Sequence, residues 1–92
     1  MATYNVNRAK HATLSAATVD TVNLAYSGSV LRVRNRSTTD PFYFTIDGTE
    51  PTVAGDETYF VGASENVTLE AVIVSTVKLI SSGTPDYTVE KY

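Results

Sequence analysis

Three arginines on alternate residues, Arg32, Arg34 and Arg36, are the side chains whose type and spacing best suit chemistry at a surface. Period two is the strand period, so the three guanidiniums project from one face of a sheet. There they offer paired N–H donors that match carboxylates on another chain. Arg8 and Lys10, in the preceding polar stretch, are added to this stripe as further partner-binding residues. The competing reading is cross-strand pairing inside the domain with Glu65, Glu70 or Glu90.

A second group is acidic. The loop from Asp47 to Glu57 carries Asp47, Glu50, Asp56 and Glu57, oxygen ligands of the kind a hard cation such as calcium takes. It lacks EF-hand spacing, and the Asp47–Gly48 pair serves a turn equally well, so a solvated acidic loop is the plainer reading. His11 is the only histidine, and no motif ties it to a nucleophile or an acid. Six tyrosines invite a sugar-stacking reading, yet tyrosine is also an ordinary residue of half-buried strands. With no nucleophile–base pair, metal motif or cofactor motif, the expectation is a protein that is not an enzyme and uses no cofactor.

Ninety-two residues make one domain, and a domain of this size has one core. A formal net charge of −3 argues against nucleic acid as a partner. No run approaches the 18 or so apolar residues of a membrane-spanning helix, so no membrane partner is expected. The first residues have no export-signal pattern, which reads as a chain made in the cytoplasm. Asn35-Arg36-Ser37 and Asn66-Val67-Thr68 match the glycosylation pattern, and without such a signal they are read as chance. Cysteine is absent, so no disulfide framework exists.

The elements that must position the stripe follow from alternation. Thr3 to Val6 reads as a short strand, with residues 1–17 serving as an N-terminal arm and a short helix over Lys10 to Ala17 as the competing reading. Val22, Leu24 and Tyr26 share a face of a strand within Thr18 to Tyr26. Val30 to Asn35 follows, with Leu31 and Val33 inward, and it is expected to form a hairpin with Phe42 to Ile46 through the Asp40–Pro41 turn. Asp47–Gly48 stops that strand, and an extended pattern resumes at Thr58 to Val61. Val67, Leu69, Ala71 and Ile73 alternate, and the β-branched run to Ile80 reads as two strands or one with a bulge. After the Ser81 to Pro85 turn, Tyr87, Val89 and Lys91 alternate in a terminal strand. Seven to eight short strands without a convincing helix predict an all-β fold, an antiparallel immunoglobulin-like β-sandwich or a small barrel. The expected core holds Leu31, Val33, Phe42, Phe44, Ile46, Leu69, Ile73, Val77 and Leu79.

Two resemblances attach to these residues. The run YSGSVLRVRNRSTTDPFYFTIDGTEPTVAGDETYFV (Tyr26 to Val61), followed by TVKLISSGTPDYTVE (Thr76 to Glu90), resembles small virion structural proteins of actinobacterial tailed phages. That resemblance implies a decoration, or cement, protein bound to the major capsid protein or to another virion protein. The chain would be lattice-bound or a homo-oligomer in the virion, with a tail or head-tail component as the alternative. More locally, Phe42 to Tyr59, through YFTIDGTEPT, is similar to the immunoglobulin-like C-terminal domain of chitobiases. That similarity implies a sandwich, keeps a carbohydrate-binding or adhesion module as an alternative, and transfers no catalytic residue.

Overall fold

In a computed structural model, described over residues 2–70 and 75–92, the chain folds into two β-sheets packed face to face. Nine strands are described: β1 (Ala2–Val6), β2 (Ala9–Thr13), β3 (Asp20–Leu24), β4 (Leu31–Asn35), β5 (Phe42–Thr45), β6 (Tyr59–Val61), β7 (Asn66–Leu69), β8 (Thr76–Ile80) and β9 (Asp86–Lys91). The first sheet runs β1-β3-β8-β5-β6 and the second β2-β9-β4-β7. All neighbours are antiparallel except β1 and β3, which run parallel. An all-β sandwich is therefore the architecture, with one or two more strands than the alternation predicts.

The extra strand is β2, which replaces the expected arm. Even-numbered residues face inward through β1 and β2, so one extended segment changes sheets without losing its alternation. The switch falls between two carbonyls: Asn7 O accepts from Tyr26 N at 3.0 Å, and Arg8 O accepts from Lys91 N at 2.8 Å. Small residues such as Ala9 and Ala12 give β2 little apolar signal of its own, and its place comes from pairing with β9. On the open face of the first sheet, Asn23 Nδ2 donates to Asn5 Oδ1 at 2.9 Å and the Thr76 hydroxyl to Asn23 Oδ1 at 2.8 Å. This side-chain ladder spans the parallel pair and its antiparallel neighbour.

The expected β4–β5 hairpin is not formed: the two strands lie in different sheets, and residues 36–41 cross between them. Buried Asn35 holds the crossing. Its Nδ2 donates to Asp40 O at 2.7 Å and to Val61 O at 3.3 Å, while its Oδ1 accepts from Ser37 N at 2.9 Å. A buried amide with its groups satisfied fixes the crossover where an apolar residue could not. β7 and β8 lie in different sheets; of the β-branched run read as two strands or one with a bulge, residues 71–74 lie outside the described residues and Thr76–Ile80 forms β8.

Between the sheets lie Leu14, Val22, Leu24, Leu31, Val33, Phe42, Phe44, Val61, Val77, Leu79, Tyr87 and Val89, with Ile46 and Leu69 partly buried against them. Of the expected core, Ile73 lies outside the described residues. Phe44 is wholly buried and its ring stacks on Tyr59 at 5.0 Å. Phe42 meets Tyr87 edge-on at 6.2 Å, and the Tyr87 hydroxyl donates to buried Asp20 at 3.0 Å.

Two outcomes follow for stability. Phe44→Ala is expected to cost about 3–5 kcal/mol in denaturant unfolding, because it empties a ring-sized volume in the core; a cost below about 0.5 kcal/mol would place the ring at the surface. The second concerns Tyr87, whose phenol burial, then Asp20, pushes far above its ordinary value of 10.0. The folded state therefore keeps this proton while the unfolded state loses it above about pH 10, so the contribution is full below that pH and declines above it. Between pH 9 and 11.5 the native chain should lose up to about 1.4 kcal/mol per pH unit relative to Tyr87→Phe, read as a narrowing gap in unfolding free energy. A gap constant with pH would contradict the buried phenol.

Candidate functional site

β4 is an interior strand of the second sheet, flanked by β9 and β7. Leu31, Val33 and Asn35 point inward and are buried, which sends Arg32 and Arg34 to the open face. The expected stripe is thus built, but its members differ. Arg34 is exposed and its Nη1 lies 3.4 Å from Glu90 Oε1, a long contact in the open. Arg32 sits over the Tyr92 ring at 5.2 Å. Arg36, past the strand end, turns its Nη2 onto Tyr87 O at 3.2 Å.

The reading of internal pairing finds one of its three expected acids. Glu90 provides intramolecular pairing for Arg34, while Glu65 turns instead to the amide of Gly62 at 2.9 Å. A guanidinium carries five N–H donors, so each arginine keeps most of its capacity for a partner.

Arg8 and Lys10 do not extend the stripe. Lys10 pairs with buried Val89 in register, on the opposite side of the sheet from Arg32 and Arg34, and its Nζ lies 4.3 Å over the Tyr4 ring. Arg8 occupies the corner between β1 and β2, 4.0 Å over the Tyr26 ring. Tyr26 and Tyr92 close around Gly28, where a Cβ would fall 2.6 Å from the Tyr92 carbonyl carbon and 2.8 Å from Tyr26 Cε2. Three cations are thus each braced by a tyrosine ring, a use of these tyrosines that spacing along the chain does not reveal.

The acidic loop takes shape on the first sheet. Asp47 Oδ1 accepts from the Thr49 hydroxyl at 2.6 Å and the Thr49 amide at 3.1 Å, bonds that hold its carboxyl below the usual carboxylate range. Gly48 follows with φ +86°, the left-handed conformation that favours glycine here. Glu50 pairs with Lys78 at 2.8 Å and Pro51 is buried. Asp56 and Glu57 stand exposed beside Ile46, Asp47, Thr58 and Tyr59 along an open groove of about 360 Å³. Among the described residues no group of three or more acidic, histidine or cysteine side chains could hold a metal ion. His11 is exposed, and its Nδ1 lies 2.7 Å from the Thr88 hydroxyl.

The feature that sequence reading missed is the edge strand β6. Tyr59 and Phe60 stay 43% and 54% exposed, with Val53 of the adjoining loop at 41%. Phe60 lies against Tyr43 at 5.4 Å, on the opposite face of the sheet from Tyr59. Alternation identifies β6 as a strand but cannot tell an edge from an interior position.

Comparison with known proteins adds one finding about architecture. The structure aligns with the crystal structure of PliG from Aeromonas hydrophila, a periplasmic lysozyme inhibitor of g-type lysozyme, at a TM-score of 0.58 over 97% of this chain and 96% of that one. The likeness is one of fold. At 8% identity no residue role transfers, and the neighbour is an inhibitor, not an enzyme. No family model matches the chain and no curated protein does, so the phage-virion and chitobiase-domain resemblances gain nothing from these comparisons.

Because Arg34 and Glu90 meet in the open, Arg34→Glu should change the unfolding free energy of the isolated domain by less than about 1 kcal/mol. A Tm drop corresponding to several kcal/mol would show that the stripe is internal structure.

Proposed function

We propose that this protein acts by binding another protein surface, without turnover, as a structural component of a tailed-phage virion, and most specifically as a capsid decoration protein. The observation that carries the binding reading is the stripe: Arg32, Arg34 and Arg36 lie on or beside one interior strand, with most of their donors unspent. Fixed positive charge on an otherwise acidic chain suits carboxylates on the major capsid protein or another virion protein. The virion assignment itself rests on the resemblance of Tyr26 to Val61 and Thr76 to Glu90. An inhibitor on the same fold supports the view that such a sandwich can serve protein recognition.

The decisive experiment is mass spectrometry of gradient-purified virions from a phage encoding the chain; its absence, while other small virion proteins are detected, ends the reading. The role of the stripe is tested on particles stripped of the protein and rebound. Arg34→Glu should lower occupancy by at least about tenfold, a loss of some 1.4 kcal/mol. Adding Glu90→Arg restores the internal pair but should not restore occupancy. Rescue by the swap would assign Arg34 to the internal pair alone.

A further inference from the structure

The exposed edge at β6 has chemistry complementary to the stripe. The Asp56 and Glu57 side chains make no hydrogen bond or ion pair with any described residue, and they line a groove together with Tyr59, whose ring stays 43% exposed, while Phe60 points to the other face of the sheet. Two unpaired carboxylates beside an exposed ring are suited to guanidiniums, which pair with the former and stack on the latter.

The same chain carries such a guanidinium row. Within one molecule the two features cannot meet: the row faces outward from the second sheet, whereas β6 borders the first. We propose that the groove lined by Asp56, Glu57 and Tyr59 in one copy receives the Arg32–Arg36 face of a second copy, a head-to-tail contact between unlike patches. This rests on the binding role proposed above and takes a neighbouring copy as the virion protein whose carboxylates the stripe meets. Unlike patches give rings or open chains, not a two-fold dimer.

The contact is small and largely charged, so it is weak and salt-sensitive. Sedimentation equilibrium of the full chain at about 1 mM protein and 10 mM salt, where the screening length is about 30 Å, should give a weight-average mass at least about 1.5-fold above the 9.9 kDa monomer. Near 1 M salt, with a screening length of about 3 Å, it should fall back toward the monomer. Asp56→Lys with Glu57→Lys removes one patch, and Arg32→Glu with Arg36→Glu removes the other. Each double variant should remain monomeric with an unchanged far-UV spectrum. An equimolar mixture of the two should associate again as the parent does, because the intact Arg face of one variant meets the intact acidic edge of the other and the reversed Lys edge meets the reversed Glu face.

Tyr59→Ser, which removes the ring that lines the groove, should lower the weight-average mass at 10 mM salt toward the monomer. Should the arginine variant lose its fold, Arg32→Gln with Arg36→Gln takes its place and should likewise stay monomeric. A parent that stays monomeric, a charge variant that associates like the parent, or a mixture that stays monomeric would each overturn the contact. None of these results depends on whether virions contain the protein, which the mass-spectrometric experiment decides separately.

Discussion

The Tyr87 hydroxyl is the constraint on which the sandwich turns. A phenol placed between two sheets must find a partner there, and the partner is Asp20 on the facing sheet at 3.0 Å. One hydrogen bond thus fixes β9 relative to β3, while the Tyr87 ring against Phe42 fixes it relative to β5. Because β9 pairs Asn35 with Tyr87, its placement also sets which side of β4 faces inward. Slipping β4 by one residue would bury Arg32 and Arg34 and expose Leu31 and Val33, so the arginines oppose the wrong register as the apolar residues favour the right one. Core and candidate site are therefore consequences of one register.

The same economy governs the cations. Arg8, Lys10 and Arg32 each lie against a tyrosine ring, which limits the conformations of a long side chain and leaves its N–H donors free at the rim. Binding then requires less ordering of side chains than a flexible lysine patch would. On the acidic side Asp47 and Glu50 are engaged by Thr49 and Lys78, and Asp56 and Glu57 are left to solvent. The division between engaged and open charges, more than the net charge, distinguishes the two surfaces.

Alternation alone predicts β4, β5 and β9 and their inward residues, since in each the apolar side chains dominate one face. It fails where the deciding information is elsewhere in the chain. The Ala9–Thr13 segment has too few large apolar groups to announce a strand, and β9 supplies its partner. The short linker from β4 to β5 is compatible with a hairpin or with a change of sheet, and buried Asn35 decides between them through bonds to Asp40 and Val61 that no local pattern encodes. The arginine stripe was legible because strand period fixes its face. The aromatic edge was not, because Phe60 in an interior strand would have had the same sequence signature.

The likeness to PliG shows that the two-sheet arrangement tolerates almost complete replacement of sequence, so the scaffold sets where side chains point and leaves open what they bind. For this chain the consequence lies in how its surfaces are distributed. A weak charged contact contributes little between free monomers. If each molecule were already held on a regular lattice, neighbouring copies would meet at an effective concentration in the range of about 1 mM, and the same contact would become cooperative. Such a contact must join unlike patches to continue from one copy to the next, whereas a two-fold contact would stop at pairs. Placing the donor row on one sheet and the acceptor groove at the border of the other meets that requirement, because each molecule can then have a neighbour on both sides at once.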